Sequence, residues 1–358
     1  MVMPSDFIPV AEQSDLIKEI TRHMFPKLIK DMLVLMDIDE KLTMSFNASA
    51  KDFHDSSFAR LMLEILGTSQ LPAHALQVEL TETATLEAGD TIKANIMPLR
   101  EAGLGFAMDD FGMGYSSLDT LSKWPFTTIK LDQGIVSRMM DSNKSSTIVE
   151  SSVRMAHELG ISVVAEGVET NEQYQHLLEA GCTKIQGYWI SKPLPLDRFI
   201  AFVEEDIRWS GIPIGLIHMA IIDHVQWRKQ LVSEVVKLAA LAQDSPQRNC
   251  QNVPPLSCKD CRLGQWYHGA GKAFSDRQSY IELAQPHCDF HEVGLLLVKM
   301  IQEGADLEAL TPHLRELSDH SMTVLSKLQA LENEGLIDMH AAHGEWTAHS
   351  LHPSKCND

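Results

Sequence analysis

The feature that most constrains this chain is an alternation of short β-like runs with helical stretches, which holds to about residue 206 and then stops. The β-like runs fall at 42–47, 76–82, 105–111, 127–132, 162–169 and 184–190. Helical patterns such as 146–159 and 171–180 lie between them. Strands separated by helices call for parallel pairing with crossover connections, hence an α/β sheet or barrel. Gly103, Gly160 and Gly181 each follow a helical stretch and precede a strand, where a helix C-cap belongs. Beyond Arg208 the texture changes. Ser210-Gly211-Ile212-Pro213 reads as a boundary, and the remainder is helical to about residue 333.

Bulk properties limit the function. The 358 residues are enough for two domains, each with its own core, and 44% hydrophobic with 22% charged residues is ordinary for globular protein. A net charge of −19 argues against a DNA- or RNA-binding surface. Such a chain can still bind a phosphate ester when metal cations stand between its carboxylates and the ligand. No apolar run reaches the roughly 18 residues of a membrane helix, and the first residues lack the pattern of a signal peptide, so a cytoplasmic location is expected. The six cysteines form no regular framework, and in that setting metal or redox chemistry is favoured over disulfides.

Each expected strand ends in polar residues suited to chemistry: Asn47, Glu79, Asp109 with Asp110, Lys130, Glu166 and Gln186. A polar residue at one strand end ordinarily does no more than meet solvent. Six strands ending this way are another matter, because the C-terminal strand ends of a (β/α)8 barrel converge on one mouth. Oxygen ligands of this kind suit Mg2+ or Mn2+. The adjacent Asp109 and Asp110 could hold two ions about 4 Å apart, as two-metal hydrolysis requires. Lys130 could orient a water or stabilise the pentacovalent state, and Glu166 could accept a proton or hold the second ion. The glycines in Asp109-Asp110-Phe111-Gly112-Met113-Gly114 fit a mobile loop behind the two aspartates.

These residues carry a resemblance to the EAL-type cyclic-di-GMP phosphodiesterases. The matching segments are 4–12, Ser45-Phe46-Asn47, Glu79-Leu80-Thr81-Glu82, 109–117, Ile129-Lys130-Leu131-Asp132, 165–170 and Gln186-Gly187-Tyr188, in family order across residues 1–206. The resemblance implies a TIM-type (β/α)8 barrel and hydrolysis of cyclic di-GMP to the linear dinucleotide by two Mg2+ or Mn2+ ions. It implies that Asn47, Glu79 and Asp109 bind the first metal, and that Asp109 and Asp110 serve the second. Lys130 and Glu166 would hold and activate water, Glu166 also lying at the metals. Gln186 would complete the site and Glu169 would lie at the substrate rim. Glu82 would anchor the 109–117 loop, which in this family links the metal site to a dimer interface; a homodimer is expected. One departure stands out. The Glu-Ala-Leu signature of the first barrel strand, whose Glu is a metal ligand, would align roughly a dozen residues before Met1. The expected barrel therefore lacks its first strand, and a truncated gene or a fragment is the favoured explanation, since every downstream site residue is present.

In the helical part, expected helices at 215–242, 262–283, 286–302 and 305–332 suggest an all-α four-helix bundle. His287 and His291, four apart, face one direction on a helix and can share an ion. Cys261 opens the preceding helix and His224 sits on the first, so three imidazoles and a thiolate would make a tetrahedral zinc site. The segments Asp223-His224-Val225-Gln226-Trp227, 261–267 and His287-x-x-x-His291 resemble the chemoreceptor zinc-binding domain, a four-helix bundle, and that resemblance assigns one Zn2+ to His224, Cys261, His287 and His291. Cys258-x-x-Cys261 lacks the second pair that a zinc ribbon needs. Residues 207–214 are expected as linker, 215–335 as the bundle, and 336–358 as a disordered tail whose histidines hold no specific metal.

Three functions compete on this basis. The first is a phosphodiesterase regulated by zinc or oxidant. The second is a non-catalytic module that binds cyclic di-GMP or a protein. The third is a zinc or oxidant sensor on a dimerising platform. The reading frame upstream of Met1 discriminates among them.

Overall fold

A computed structural model describes residues 3–82, 89–112, 117–205, 213–242 and 250–346, with Ser245 and Arg248. The chain divides into two compact units near residue 210. The expected linker falls almost wholly on 206–212, outside the described residues.

The first unit is built on a curled, six-stranded parallel sheet in strict sequence order: β1 (Met44–Asn47), β2 (Leu76–Thr81), β3 (Gly105–Phe111), β4 (Thr128–Leu131), β5 (Ser162–Ala165) and β6 (Lys184–Ile185). Its helices include α1 (Pro4–Gln13), α2 (Leu16–Met36), α3 (Ser57–Ser69), α4 (Gly89–Glu101), α5 (Ser117–Lys123), α6 (Gln133–Arg138), α7 (Asn143–Leu159), α8 (Asn171–Ala180) and α9 (Leu196–Glu204). All six expected strands are present; β3 has the expected bounds and the other five are shorter at their ends than the sequence suggests. Val78, Leu80, Phe106, Met108, Ile129 and Leu131, which share one face by register, have essentially no exposed surface, and Glu79, Ala107 and Lys130 on the other face are buried too. Burial on both faces is what parallel strands need when helices cover one side and the curled interior fills the other. The three expected cap glycines all have positive φ, and Gly160 ends α7 in the left-handed conformation that costs a glycine nothing.

The second unit is all helical: α10 (Ile214–Ala239), α11 (Arg262–His268), α12 (Gln278–Gln302) and α13 (Leu307–Trp346). Its seam is most regular on α13, where Leu310, Leu317, Val324 and Leu331 recur every seventh residue with no exposure. Three expectations are corrected. Residues 262–283 do not form one helix: after α11 the chain tightens at Gly269 and Gly271, where a Cβ on Gly271 would stand 2.8 Å from the Trp266 carbonyl oxygen. A short 3-10 turn, Ala270–Phe274, follows, and residues 278–283 belong to α12. Nor does Pro286 begin a helix. It lies inside α12, where the carbonyl of Glu282 lacks an amide donor but Glu282 itself is exposed and solvated. The last helix also runs past Gly335 to Trp346 rather than giving way to a disordered tail, and residues 347–358 lie outside the described part. No helix among the described residues is long and apolar enough to cross a membrane.

One buried carboxyl beside β1 makes the first unit pH-sensitive. Asp52 is 2% exposed, accepts bonds at Oδ2 from the Ser49 amide (2.9 Å) and Thr21 hydroxyl (3.1 Å), and has no partner at Oδ1. Burial pushes its pKa up to about 6 from 3.8. A raised carboxyl favours the folded state when protonated, so its contribution is full below pH 3.8 and is lost as pH rises through about 6. Asp52→Asn should remove on the order of 3 kcal/mol of pH dependence across that window, measured by denaturant unfolding at pH 4 and pH 7; an unchanged pH profile contradicts this.

Candidate active site and metal centre

The C-terminal ends of β2, β3 and β4 and the residue after β5 meet at one ammonium group. Lys130, in the fully buried β4, places Nζ 2.6 Å from Glu79 Oε2, 2.6 Å from Glu166 Oε1 and 3.3 Å from Asp109 Oδ1. Glu79 comes from β2, Asp109 from β3, and Glu166 follows β5, its amide bonded to the Leu131 carbonyl at 3.1 Å. Sequence-distant carboxylates converge because parallel strands in register deliver the same end of each strand to the same place. Burial pulls the pKa of Lys130 down, but hydrogen bonds to Glu166 and Glu79 outweigh it and hold the value above normal. Burial raises Glu166, Lys130 lowers it, and Asp109 and Glu79 raise it further, leaving it above the usual carboxylate range. Three carboxylates surround one cation, so the ionised cluster keeps excess negative charge in a partly desolvated place. That donor set fits divalent cations with oxygen preference.

Asp109 and Asp110 stand where the β3–β4 register shifts between Met108 and Phe111. Asp110 has φ +57°, uncommon for a residue with a side chain and typical of functional loops. Its amide bonds Asp109 Oδ1 at 3.1 Å, and its carboxyl is exposed. Partial desolvation on the side facing the protein, then the charges of Asp109 and Asp132, raise its pKa. Asn47 ends β1 directly opposite Glu79 and is exposed. Glu82, 1% exposed, is buried just after β2. The loop it would anchor includes 113–116, which lie outside the described residues.

Beside the lysine cluster, Gln133, Glu166, Glu169, Gln186 and Tyr188 line a cleft of about 250 Å3. Gln186 is held by its backbone, its amide on Ala165 O (2.8 Å) and its carbonyl on the Val168 amide (3.1 Å), leaving the side chain exposed. Glu169 is exposed, its amide tied to Gln173 Oε1 at 2.8 Å. Gln133 escaped the sequence reading. A Cβ at Gly167 would fall 2.2 Å from Gln133 Cγ, so a glycine directly after a candidate catalytic glutamate was the available signal.

In the helical unit Cys261, His287 and His291 are buried, with ligand atoms all within 4.8 Å of one another. Cys261 Sγ lies 3.3 Å from His287 Nε2 and accepts the Gly264 amide at 3.2 Å, capping α11. His291 Nδ1 donates to the Leu256 carbonyl at 2.9 Å, which leaves Nε2 with its lone pair. Burial pushes His287 down to about 3 and lowers His291, so both imidazoles are neutral near pH 7. Burial pushes the Cys261 thiol up to about 11. Spacings of about 3.5 Å between ligand atoms are those of a tetrahedral zinc site, so the group fits that ion. His224 stands outside it. Its Nε2 is 2.9 Å from Ser321 Oγ and its ring is 4.5 Å from that of Phe290. Ser321 interrupts the apolar seam of α13 with no exposure, so its hydroxyl needs a buried partner.

Comparison with known proteins agrees with both halves. The EAL domain model matches residues 1–193, more than half of the chain, and the protein belongs to that family. The chemoreceptor zinc-binding domain model matches residues 224–298. The cyclic di-GMP phosphodiesterase RocR of Pseudomonas aeruginosa is 35% identical over 199 residues, 56% of this chain and 51% of RocR. The signalling protein YkoW of Bacillus subtilis is 34% identical over 56% of this chain and 25% of its own length. The chain thus spans about half or less of these relatives. Among solved structures, the EAL enzyme Bd1971 bound to cAMP and cyclic di-GMP aligns with TM-score 0.54 and 29% identity over 56% of each chain. The PaMucR phosphodiesterase in complex with c-di-GMP aligns with TM-score 0.53 and 29% identity over 55% of this chain and 81% of that one. The fold is therefore a curled parallel sheet of the EAL domain's TIM-barrel type, followed by the helical zinc-binding domain.

If Lys130 is what offsets the carboxylates, removing it must be costly. Lys130→Met should lose about 3–5 kcal/mol of stability at pH 8 in the presence of chelator. The loss should shrink by pH 5 as Glu166, whose carboxyl lies above the usual range, takes up a proton. Denaturant unfolding at the two pH values measures both, and equal stability of variant and parent at pH 8 contradicts the assignment.

Proposed function

We propose that the barrel hydrolyses cyclic di-GMP to the linear dinucleotide, and that zinc or oxidant at the helical domain regulates it. The observation that carries the first part is the convergence of Glu79, Asp109 and Glu166 on Lys130 at the C-terminal ends of parallel strands. Asn47, Glu79 and Asp109 would hold one Mg2+ or Mn2+ ion, and Asp109 with Asp110 a second, Glu166 standing beside them. When bound, such ions supply positive charge against the phosphodiester and make water a better nucleophile at neutral pH. Lys130 holds the attacking water, and Glu166, whose pKa lies above the usual range, accepts its proton. The water oxygen forms the new bond to phosphorus as the bond to one ribose oxygen breaks, and that oxygen takes up a proton and leaves as a hydroxyl. Gln186 and Glu169, on the cleft, position the dinucleotide; Glu82 fixes the 109–117 loop. We take the working form to be a homodimer.

For the helical domain, Cys261, His287 and His291 would hold one Zn2+, and His224, now on Ser321, would be the fourth ligand. The regulatory link is read from His224, which follows the linker closely in sequence.

Asp109→Asn or Glu79→Gln, in protein carrying the Glu-Ala-Leu strand, should lower turnover of cyclic di-GMP with Mg2+ or Mn2+ by about a hundredfold or more. Unchanged turnover in either variant removes these residues from the mechanism. Zinc uptake should release one proton, that of Cys261, and none from the neutral imidazoles. Apparent affinity should therefore rise about tenfold per pH unit from pH 7 to 9. Calorimetry in buffers of different ionisation enthalpy reads the proton count, and a pH-independent affinity contradicts the thiolate ligand.

A further inference from the structure

Two cysteines outside the zinc group form a pair. Cys258 Sγ and Cys288 Sγ are 2.8 Å apart, both as free thiols, and about 0.8 Å beyond S–S bonding distance. Both are half-buried, so a small oxidant reaches them. Neither belongs to the Cys261–His287–His291 cluster. Their positions relative to it are nevertheless informative. Cys258 lies in the turn that leads into Cys261, and Cys288 follows His287 directly on α12. The turn is tightly set: the Cys258 carbonyl faces Cys261 Sγ at 3.7 Å, and a Cβ on Gly264 would lie 1.9 Å from the same carbonyl oxygen. The two sulfurs therefore join the segment carrying the candidate thiolate ligand to the helix carrying the imidazoles.

We propose that Cys258 and Cys288 are a reversible disulfide site, closed by a hydroperoxide and opened by a dithiol reductant, which ties the Cys261 turn to α12. In the first step one sulfur attacks the peroxide oxygen; the O–O bond breaks, the sulfur becomes a sulfenic acid, and one water or alcohol leaves. In the second, the other thiol attacks the sulfenic sulfur; the S–S bond forms and a second water leaves, carrying the thiol proton. Two thiols are oxidised by two electrons and one peroxide is reduced. Cys261 takes no part in either step, and the bridge restrains it from moving away from His287. Bridging stands on the sulfur geometry alone; its effect on zinc rests on the zinc reading above.

The test uses the full chain, treated with a small excess of hydrogen peroxide, alkylated, digested and examined by mass spectrometry. The expected result is a peptide joining Cys258 to Cys288, a fall in titratable thiols from six to four, and full recovery with dithiothreitol. Cys258→Ser and Cys288→Ser, made separately, should each abolish the linked peptide while leaving zinc per chain unchanged. Zinc transfer to a chromogenic chelator should be several-fold slower from the bridged than from the reduced protein. A bridge that contains Cys261, or oxidation that no dithiol reverses, overturns the site. So does elemental analysis giving two zinc ions per wild-type chain and one in the Ser variants, because the pair would then be ligands. Protein that bridges but binds no zinc keeps the disulfide site and overturns the zinc reading; bridged protein that loses zinc as fast as reduced protein overturns the restraint.

Discussion

The first domain depends on one buried ammonium group. Lys130 sits among Glu79, Asp109 and Glu166 at hydrogen-bonding or ion-pairing distance, on a strand with no exposed residue. Three carboxylates cannot be gathered in a partly desolvated mouth without such a cation, and one cation does not neutralise them. The remaining negative charge is the basis for proposing that divalent ions enter the mouth, since a bare phosphodiester would be repelled there. Everything beneath serves to hold this arrangement. The apolar residues Val78, Leu80, Phe106, Met108, Ile129 and Leu131 share the sheet face opposite to Glu79 and Lys130 and are buried there, and parallel register brings the strand ends level.

The second domain solves a different problem with softer donors. Its group of one thiol and two imidazoles is buried, with tautomer and orientation set by backbone groups: the Leu256 carbonyl on His291 and the Gly264 amide on Cys261. Burial keeps the imidazoles neutral and the thiol protonated. In the proposed zinc site these three groups are already positioned by the fold; the thiol proton would leave and His224 would give up its contact with Ser321. A zinc site of that kind is sensitive to whatever alters Cys261, which suits a sensing domain.

Much of this was legible in the sequence, for physical reasons. Parallel strands buried on both faces leave short, nearly continuous apolar runs, so all six strands could be found, and their polar last residues mark the mouth. The i, i+4 spacing of His287 and His291 survives any uncertainty in helix ends. Other features depend on tertiary context. The irregular backbone at Asp109–Asp110 leaves no trace in composition. Pro286 reads as a break, yet it lies within α12 because the freed carbonyl is on an exposed turn. The pairing of His224 with Ser321 joins positions 97 residues apart, and only the serine's place in a seven-residue apolar repeat hints at it. The nearness of Cys258 to Cys288 follows from the corrected helix boundaries and has no signature of its own.

The central claim is that the carboxylates around Lys130 receive a cyclic dinucleotide through divalent cations. Calorimetric titration of cyclic di-GMP into the protein with Ca2+, and again with excess chelator, tests it without relying on turnover. The account predicts saturable binding with the cation, loss of that binding in chelator, and its weakening by Asp109→Asn. Binding of equal affinity with and without divalent cation would contradict it.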